Sequence, residues 1–345
     1  MTRFRFSERS FGRLPAQLVV IGAAGFVGIV FIYLSWAWLH EAPVVGDAQE
    51  RLVIHVDRGS HFSGVMKDLH WLGWGRPSLV WRAYGRLKQP KVLAGEYRLN
   101  QPVSFSTFLD SLARGDEALH PITIVEGWTL AKLRAFLADN PRIASLSDEW
   151  TQAQLMQTLG CDGCFGEGWF LPETYLHSRG DTDLEILRRA HEAMKSALQE
   201  VWLNRQSSLP LEEPPELLVL ASLVEKESAL KSERPEIAGV FARRLSLGMR
   251  LQTDPTVIYG LGEAYSGTLS RKDLRSDHAW NTYTRQGLPP TPIALPSRQA
   301  LEAAANPAEG NSLYFVAKGD GSHAFSATLD EHNEAVSRYI RGRRQ

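Results

Sequence analysis

The sequence lacks the short catalytic motifs that identify many classes of enzyme. It contains no G-x-S-x-G, no H-E-x-x-H, no phosphate-binding P-loop and no glycine-rich dinucleotide fingerprint. Its 10 histidines are scattered along 345 residues, so a histidine-centred triad or a zinc site has no visible cluster to start from. Serine hydrolase, zinc peptidase, NTPase and dinucleotide-dependent chemistry are therefore not predicted.

An excess of charge of either sign is also missing, and cysteine is nearly absent. The 38 basic residues are balanced by 39 acidic ones, which leaves no general basic field and argues against a nucleic-acid partner. The two cysteines, Cys161 and Cys164, predict either a small loop disulfide or two free thiols. Neither a thioredoxin-like setting nor two further zinc ligands accompany them.

One long uncharged stretch is present near the N-terminus. No charged residue occurs from Leu14 to Leu39, and roughly 20 apolar residues suffice to cross a bilayer. Four arginines precede this stretch and acidic residues follow it, so we predict a cytoplasmic segment over 1–14, a transmembrane helix over 15–39 and an external remainder. A cleaved signal peptide is the alternative, although the apolar stretch is long for one.

After a short tether, the next seventy residues alternate between strand and helix patterns. "RLVIHVDRGS" and "LAGEYRL" read as strands, two segments with helical spacing lie between them, and "SFSTFLDSLARG" reads as a short helix ending at Gly115. This order predicts a small α+β module that either binds glycan or acts as a spacer above the membrane.

The remaining residues, from about 119 to 345, predict a larger α+β domain. It opens with the strand "HPITIVEGWTL" and continues through several helices to the hairpin-like "LYFVAKGDGSHAFSAT". One of these helices is long and amphipathic and carries His191, which we expect at the surface. The whole chain is thus predicted to be α+β with a single N-terminal transmembrane helix.

Two glutamates stand at the end of an otherwise apolar helix in "LASLVEKESAL". Helical spacing surrounds Glu225 with small or polar residues, whereas Glu227 has Leu223, Val224 and Leu230 as neighbours. Loss of water raises the pKa of a carboxyl group, as a general acid at neutral pH requires, so Glu227 is the stronger candidate. Lys231 could oppose that shift, and an exposed helix end carrying both glutamates is the alternative.

Two polar segments could complete a site around such an acid. Buried amides, hydroxyls and aromatic rings suit an uncharged sugar polymer, although the same residue types also cap helices and turns. These residues are Gln252, Thr253 and Asp254 in "QTDPT", and Asn281, Thr282 and Tyr283 in "NTY".

Several longer segments carry a family resemblance. "ASLVEKESA", "GMRLQTDPTVIYG", "NTYTRQGLPPTPIALPS", "ALEAAANPA" and "LYFVAKGDGSHAFSATLDEHN" resemble the MltG (YceG-like) family of endolytic murein transglycosylases, and "EGWFLPETY" extends the similarity upstream. The resemblance implies a bacterial inner-membrane anchor, a tether and LysM-like module over 40–118 and a catalytic domain over 119–345 in the periplasm. The Cys161 and Cys164 pair is a departure from the family.

The resemblance also implies a reaction and a catalytic residue. The family's glutamate precedes a small hydroxyl residue, which here selects Glu227 and Ser228. The enzyme implied by this resemblance would cleave the MurNAc-β-1,4-GlcNAc bond and leave a 1,6-anhydro end, with no metal or cofactor. We expect the sugar to be held by Gln252, Asp254, Asn281 and Tyr283.

The same hypothesis includes further expectations about function, partners and substitutions. The enzyme would terminate nascent strands, and cell-wall synthases are possible partners. Replacing Glu227 with Gln should remove turnover, whereas Glu225→Gln should leave most of it. The alternative from another functional class is a non-catalytic, membrane-anchored peptidoglycan-binding scaffold.

Overall fold

The structure of the chain is a computed structural model. The predicted cytoplasmic segment 1–14 and residues 42–51 of the predicted tether lie outside the residues that it describes. The described residues are 16–41, 52–71, 79–99, 103–228 and 230–341. They divide into two compact units, Met1–Leu119 and His120–Gln345.

The first unit begins with the apolar helix α1, Ala16–Glu41. Its segment Val20–Ala37 is long and apolar enough to cross a membrane, and none of that segment is buried inside the protein. A helix at this place in the chain was predicted from the uncharged stretch, and its presence is confirmed.

The rest of the first unit follows the predicted order of strand, helix, helix, strand and helix. Strands β1 and β2 pair in antiparallel fashion, with Val56 opposite Gly95, and bury Ile54 and Tyr97 against Phe108 of the last helix. That helix ends at Gly115, whose φ of 73° is the left-handed conformation that glycine adopts readily. The elements are β1 (Leu52–Val56), α2 (Phe62–Trp71), α3 (Leu79–Lys88), β2 (Gly95–Leu99) and α4 (Phe105–Arg114).

The second unit is mainly helical and contains two short antiparallel strand pairs. Strand β3 pairs with β4, and β5 pairs with β6 as the hairpin that the sequence predicted. The elements are β3 (His120–Thr123), α5 (Leu130–Ala138), α6 (Gln152–Thr158), β4 (Thr174–His177), α7 (Asp183–Leu203), α8 (Pro214–Glu227), α9 (Arg234–Ser246), α10 (Asp254–Leu261), α11 (Arg271–Arg275), α12 (Arg298–Ala305), β5 (Tyr314–Ala317), β6 (His323–Ser326) and α13 (Leu329–Val336).

Helix α8 is the centre of this unit. Every residue from Leu217 to Glu225 is buried, because the helix is surrounded by α7, α9, α10 and α12. A helix that is apolar on all sides is expected in such a position. Its first turn holds Pro214 and Pro215, where the missing N–H groups cost little.

The position of His191 on helix α7 differs from the expectation. His191 is fully buried between the rings of Trp169 and Phe170, with Nδ1 3.1 Å from the carbonyl oxygen of Trp169. The prediction of a surface histidine was wrong because α7 contributes side chains to two hydrophobic clusters rather than one. A wider arc of the helix is therefore buried than a single apolar stripe would cover.

The cysteines follow α6. Cys161 and Cys164 form a disulfide that closes a short loop, which is the first of the two states considered from the sequence.

Candidate active site

Glu227 is the last residue of α8, at the point where the buried helix reaches a cleft. The helix stops because Ser228 is extended, with φ −127° and ψ 127°. The buried hydroxyl of Ser228 accepts a hydrogen bond of 3.0 Å from the N–H of Leu230. Ser228 thus fixes the turn that leaves the Glu227 side chain half-buried at the helix end.

A hydroxyl network holds the Glu227 carboxyl group. The Thr253 hydroxyl donates a short hydrogen bond to Oε1 of Glu227. Thr253 is itself oriented, since its N–H donates to the hydroxyl of Thr282 over 3.1 Å, and the hydroxyls of Thr256 and Thr282 are 2.9 Å apart. Within the part of the chain that the structure describes, the network engages one carboxyl oxygen of Glu227 and leaves Oε2 for another partner.

The surroundings favour the protonated form of Glu227. Burial raises the pKa of Glu227 to about 7, and the negative charge of Asp254 adds to the rise. The Thr253 hydrogen bond and His323 act in the opposite direction on this pKa. Lys231, which could have lowered it, instead lies 3.7 Å from the carboxylate of Glu126. A carboxyl group with this pKa can both give and take a proton near neutral pH.

A cleft of about 360 Å³ opens in front of Glu227. Three of the four predicted sugar-binding residues line it, together with a set of residues that the sequence did not predict. The lining residues are Glu227, Arg244, Leu251, Gln252, Asp254, Tyr283, Tyr314, Phe315, Leu329 and His332.

Gln252, Asp254 and Tyr283 lie together in this cleft. The Tyr283 hydroxyl donates to Oδ1 of Asp254 over 2.5 Å. Gln252 has a φ of 52°, which is uncommon for a residue other than glycine and often marks a functional position. The backbone N–H of Gln252 donates to the Thr282 carbonyl over 3.2 Å, which ties the two polar segments together.

Asn281 requires a correction. Its side chain is completely buried and does not line the cleft. The amide nitrogen donates to the carbonyl of Ser276 over 2.7 Å, and the amide oxygen accepts from the N–H of Tyr283 over 2.8 Å. Asn281 therefore shapes the loop that presents Tyr283, and the expectation that it holds the sugar is wrong.

Glu225 differs from Glu227 for a reason that helical spacing did not show. It is the more buried of the two glutamates, with 8% of its surface exposed. Its Oε1 lies 2.6 Å from Nη2 of Arg234, and its Oε2 accepts from the N–H and hydroxyl of Ser297. The expectation that Glu227 loses more water than Glu225 was wrong, but Glu225 is a paired structural ion that does not line the cleft.

A second carboxyl group with a raised pKa does not line the cleft. Burial raises the pKa of Glu167 to about 7 as well. Its oxygens accept from the N–H of Leu130 over 2.8 Å and from the hydroxyl of Tyr259 over 3.2 Å. A raised pKa alone therefore does not identify the candidate acid; the cleft in front of Glu227 does.

The wall formed by Arg244, Tyr314 and His332 was not predicted from the sequence. These residues come from α9, β5 and α13, far apart along the chain. No local spacing links them to Glu227, so only the fold brings them together. Among the described residues, no group of three or more acidic, histidine or cysteine side chains could hold a metal ion.

Comparison with known proteins identifies the family of the chain. The sequence model of the YceG-like family matches residues 54–338. An endolytic murein transglycosylase from Bacillus subtilis (strain 168) is 32% identical over 316 residues, which cover 86% of this chain and 87% of that protein. An endolytic murein transglycosylase from Streptococcus pneumoniae serotype 2 is 26% identical over 94% of this chain, which spans only 64% of that longer protein.

A solved structure extends the comparison to the fold. The crystal structure of a YceG-like protein from Listeria monocytogenes matches with a TM-score of 0.53 and 28% sequence identity, covering 83% of this chain and 99% of the other. The family match spans most of the chain, and it agrees with the extent of the Bacillus relative. The chain belongs to the YceG-like family.

Proposed function

We propose that the protein is an endolytic peptidoglycan lytic transglycosylase in which Glu227 is both the general acid and the general base. The observation that carries the proposal is a half-buried carboxyl group with a pKa of about 7 at the floor of a polar cleft. The activity named for the Bacillus and pneumococcal relatives supports it. The bond cleaved would be the MurNAc-β-1,4-GlcNAc bond within a strand.

In the first half of the reaction, Glu227 donates its proton to the departing glycosidic oxygen while the bond from that oxygen to C1 of the muramyl residue breaks. The hydrogen bond from Thr253 fixes one carboxyl oxygen and leaves the other free to carry the proton. The positive charge that develops at C1 is favoured by the nearby carboxylate of Asp254, which the Tyr283 hydroxyl orients.

In the second half, the C6 hydroxyl of the same muramyl residue attacks C1 and gives its proton to the Glu227 carboxylate. The product is a 1,6-anhydro end, no water is consumed, and Glu227 returns to its protonated state. One carboxyl group can thus serve twice. Gln252 and Tyr283 would hold the sugar in the conformation that brings its C6 hydroxyl over C1.

Hydrolysis is the second candidate function, and the observation that favours it is the presence of Asp254 in the cleft. Hydrolysing glycosidases usually need a second carboxylate to activate water or to attack the sugar. Asp254 is a second carboxylate in the same cleft, although its Oδ1 already accepts from Tyr283. The product separates the two reactions, because hydrolysis leaves a reducing end.

The position of the enzyme in the cell forms part of the proposal. We infer that α1 anchors the protein in the inner membrane as a single span, with residues 1–14 in the cytoplasm and residues 119–345 as a periplasmic catalytic domain. The length and apolar composition of α1 support its role as an anchor. Residues 40–118 would form a tether and a LysM-like module. Such an enzyme would meet nascent strands near cell-wall synthases and could end their elongation.

The test is digestion of purified sacculi by the full-length protein, followed by mass spectrometry of the new strand ends. The proposal predicts 1,6-anhydro-MurNAc ends within strands. Reducing ends would favour the hydrolase that uses Asp254. If sacculi are bound but no new ends form with any preparation, the non-catalytic scaffold is the better account.

A further inference from the structure

We propose that Arg244 and His332 bind a carboxylate of the peptide stems that peptidoglycan strands carry. The inference rests on the proposed function, because it takes a peptidoglycan strand as the occupant of the cleft. It adds a charged recognition element to a site otherwise suited to neutral sugar.

Arg244 is a buried cation without an acidic partner. It is 7% exposed, its Nε donates to the Leu313 carbonyl over 2.7 Å, and its Nη1 donates to the Leu251 carbonyl over 2.8 Å. In the part of the chain that the structure describes, no carboxylate lies within ion-pair distance of it. Buried arginines are usually paired with an acid, since carbonyl groups accept hydrogen bonds but carry no neutralising charge.

The same guanidinium group has donor capacity directed to the cleft. Arg244 lines the cleft, and its Nη2 makes no hydrogen bond within residues 16–41, 52–71, 79–99, 103–228 and 230–341. Its carbon Cζ lies 5.1 Å from the ring centre of Tyr314, which supports the guanidinium plane. A planar group held in this way suits the fork geometry of a carboxylate.

His332 supplies a second donor on the same wall. Its ring stacks on Tyr314 with centres 5.2 Å apart, and its buried Nδ1 has no hydrogen-bond partner in the described residues. Burial and the charge of Arg244 lower the pKa of His332, so the ring is neutral and can donate one N–H. Since Arg244 and His332 both line the cleft, we assign the two oxygens of the carboxylate to these two side chains.

The chemistry of the strand selects the stem peptide as the source of that carboxylate. The sugar backbone is uncharged, so its acetamido groups could accept hydrogen bonds but could not neutralise Arg244. Stem peptides carry free carboxyl groups and project from the muramyl residue whose bond is cleaved. Removing the stem with an amidase takes away its carboxyl groups and frees the lactyl carboxyl group, which is bound in an amide while the stem is attached. The amidase product therefore tests whether the carboxylate must belong to the stem.

The experiment uses the full-length protein in detergent and three preparations of soluble strands. The first carries stems with free carboxyl groups, the second has those groups amidated with carbodiimide and ammonia, and the third is treated with an amidase. We expect kcat/KM for the first to exceed that for the second by at least tenfold. Rates for the third close to those of the second support the stem as the source of the carboxylate; rates close to the first would show that a free lactyl carboxylate serves equally well and would overturn the assignment to the stem.

Substitutions in the cleft wall test whether Arg244 and His332 cause the preference for strands with free carboxyl groups. Arg244→Gln, which keeps an amide donor for the backbone, should abolish the preference. Arg243→Gln is the matched control, because Arg243 lies on the same helix and also donates to backbone carbonyls but does not line the cleft. His332→Phe keeps the stacking on Tyr314, removes the ring nitrogens and should reduce the preference at least threefold even if Arg244→Gln does not fold.

Failure of this inference can be distinguished from failure of the proposed function. Equal kcat/KM for free and amidated strands overturns the inference and leaves the proposed function intact. If neither preparation is cleaved, the proposed function fails, and equilibrium binding of the same strands then decides the inference: weaker binding of the amidated strands supports it, and equal Kd values overturn it.

Discussion

The protonation state of Glu227 links its local contacts to the proposed reaction. Burial and Asp254 favour the neutral carboxyl, whereas the Thr253 hydroxyl favours the carboxylate. The balance gives a pKa near the pH at which an acid that must later act as a base works best. Replacing Thr253 and replacing Asp254 should therefore shift the pH dependence of activity in opposite directions.

Activity should fall above about pH 7, because the carboxylate form of Glu227 cannot protonate the leaving oxygen. Thr253→Val removes a donor to the carboxylate, so the alkaline limb should move to higher pH. Asp254→Asn removes a negative charge, so the limb should move to lower pH. Profiles of kcat/KM from roughly pH 5 to 9 measure both shifts; movement of the two limbs in the same direction would contradict this assignment.

The raised pKa of Glu227 should also cost stability. The folded protein retains a proton that the unfolded chain releases between the ordinary pKa of 4.5 and about 7, so the free energy of unfolding falls with rising pH across that window. Glu227→Gln removes this loss and should stabilise the protein at pH 8 by at most about 3 kcal/mol. Melting temperatures should rise at pH 8 and remain nearly unchanged at pH 4, and an equal rise at both would argue against a raised pKa.

At the level of elements, the end of α8 is held in place by a buried ion pair. Glu225 on α8 bonds Arg234 at the start of α9 and Ser297 at the start of α12, and Nη1 of Arg234 also donates to the Ser297 hydroxyl over 2.7 Å. Three helices therefore meet two residues before the candidate acid. The position of Glu227 depends on this junction.

Glu225→Gln should destabilise the protein by about 3–5 kcal/mol, because the buried Arg234 charge loses the carboxylate 2.6 Å away and keeps only the more distant Glu126, at 3.9 Å. This changes the expectation from sequence: turnover should persist only in the molecules that remain folded. Lys226→Gln is the matched control on the next residue, which is exposed, and should alter stability by less than about 0.5 kcal/mol. Thermal unfolding of both variants measures the difference, and equal melting temperatures would contradict the structural role of Glu225.

The elements that the sequence predicted are those with strong periodicity or clear end signals, such as α7, α8 and the β5–β6 hairpin. Helix α10 was not predicted from "QTDPT", although Pro255 in this segment suits the first turn of a helix. Asn281 was assigned to the sugar because an amide suits it. Its actual partners are backbone groups that only the folded loop brings within reach.

At the scale of the whole molecule, the family match runs through both compact units, from residue 54 to residue 338. Glu227 could be selected from the sequence because its signal is local: a carboxyl group, a following serine and an apolar helix. Arg244, Tyr314 and His332 could not, since their association depends on the packing of α9, β5 and α13. Long-range pairing of this kind has no signature in one sequence.

The most direct test of the central claim is the rate at which the full-length Glu227→Gln variant creates new strand ends in purified sacculi. Glutamine retains the shape of the side chain and can still accept the Thr253 hydrogen bond, but it cannot transfer a proton. We predict that binding to sacculi persists while turnover falls by roughly 10³-fold or more, since one residue serves as both acid and base. Turnover within tenfold of wild type in a folded variant would contradict the assignment of Glu227.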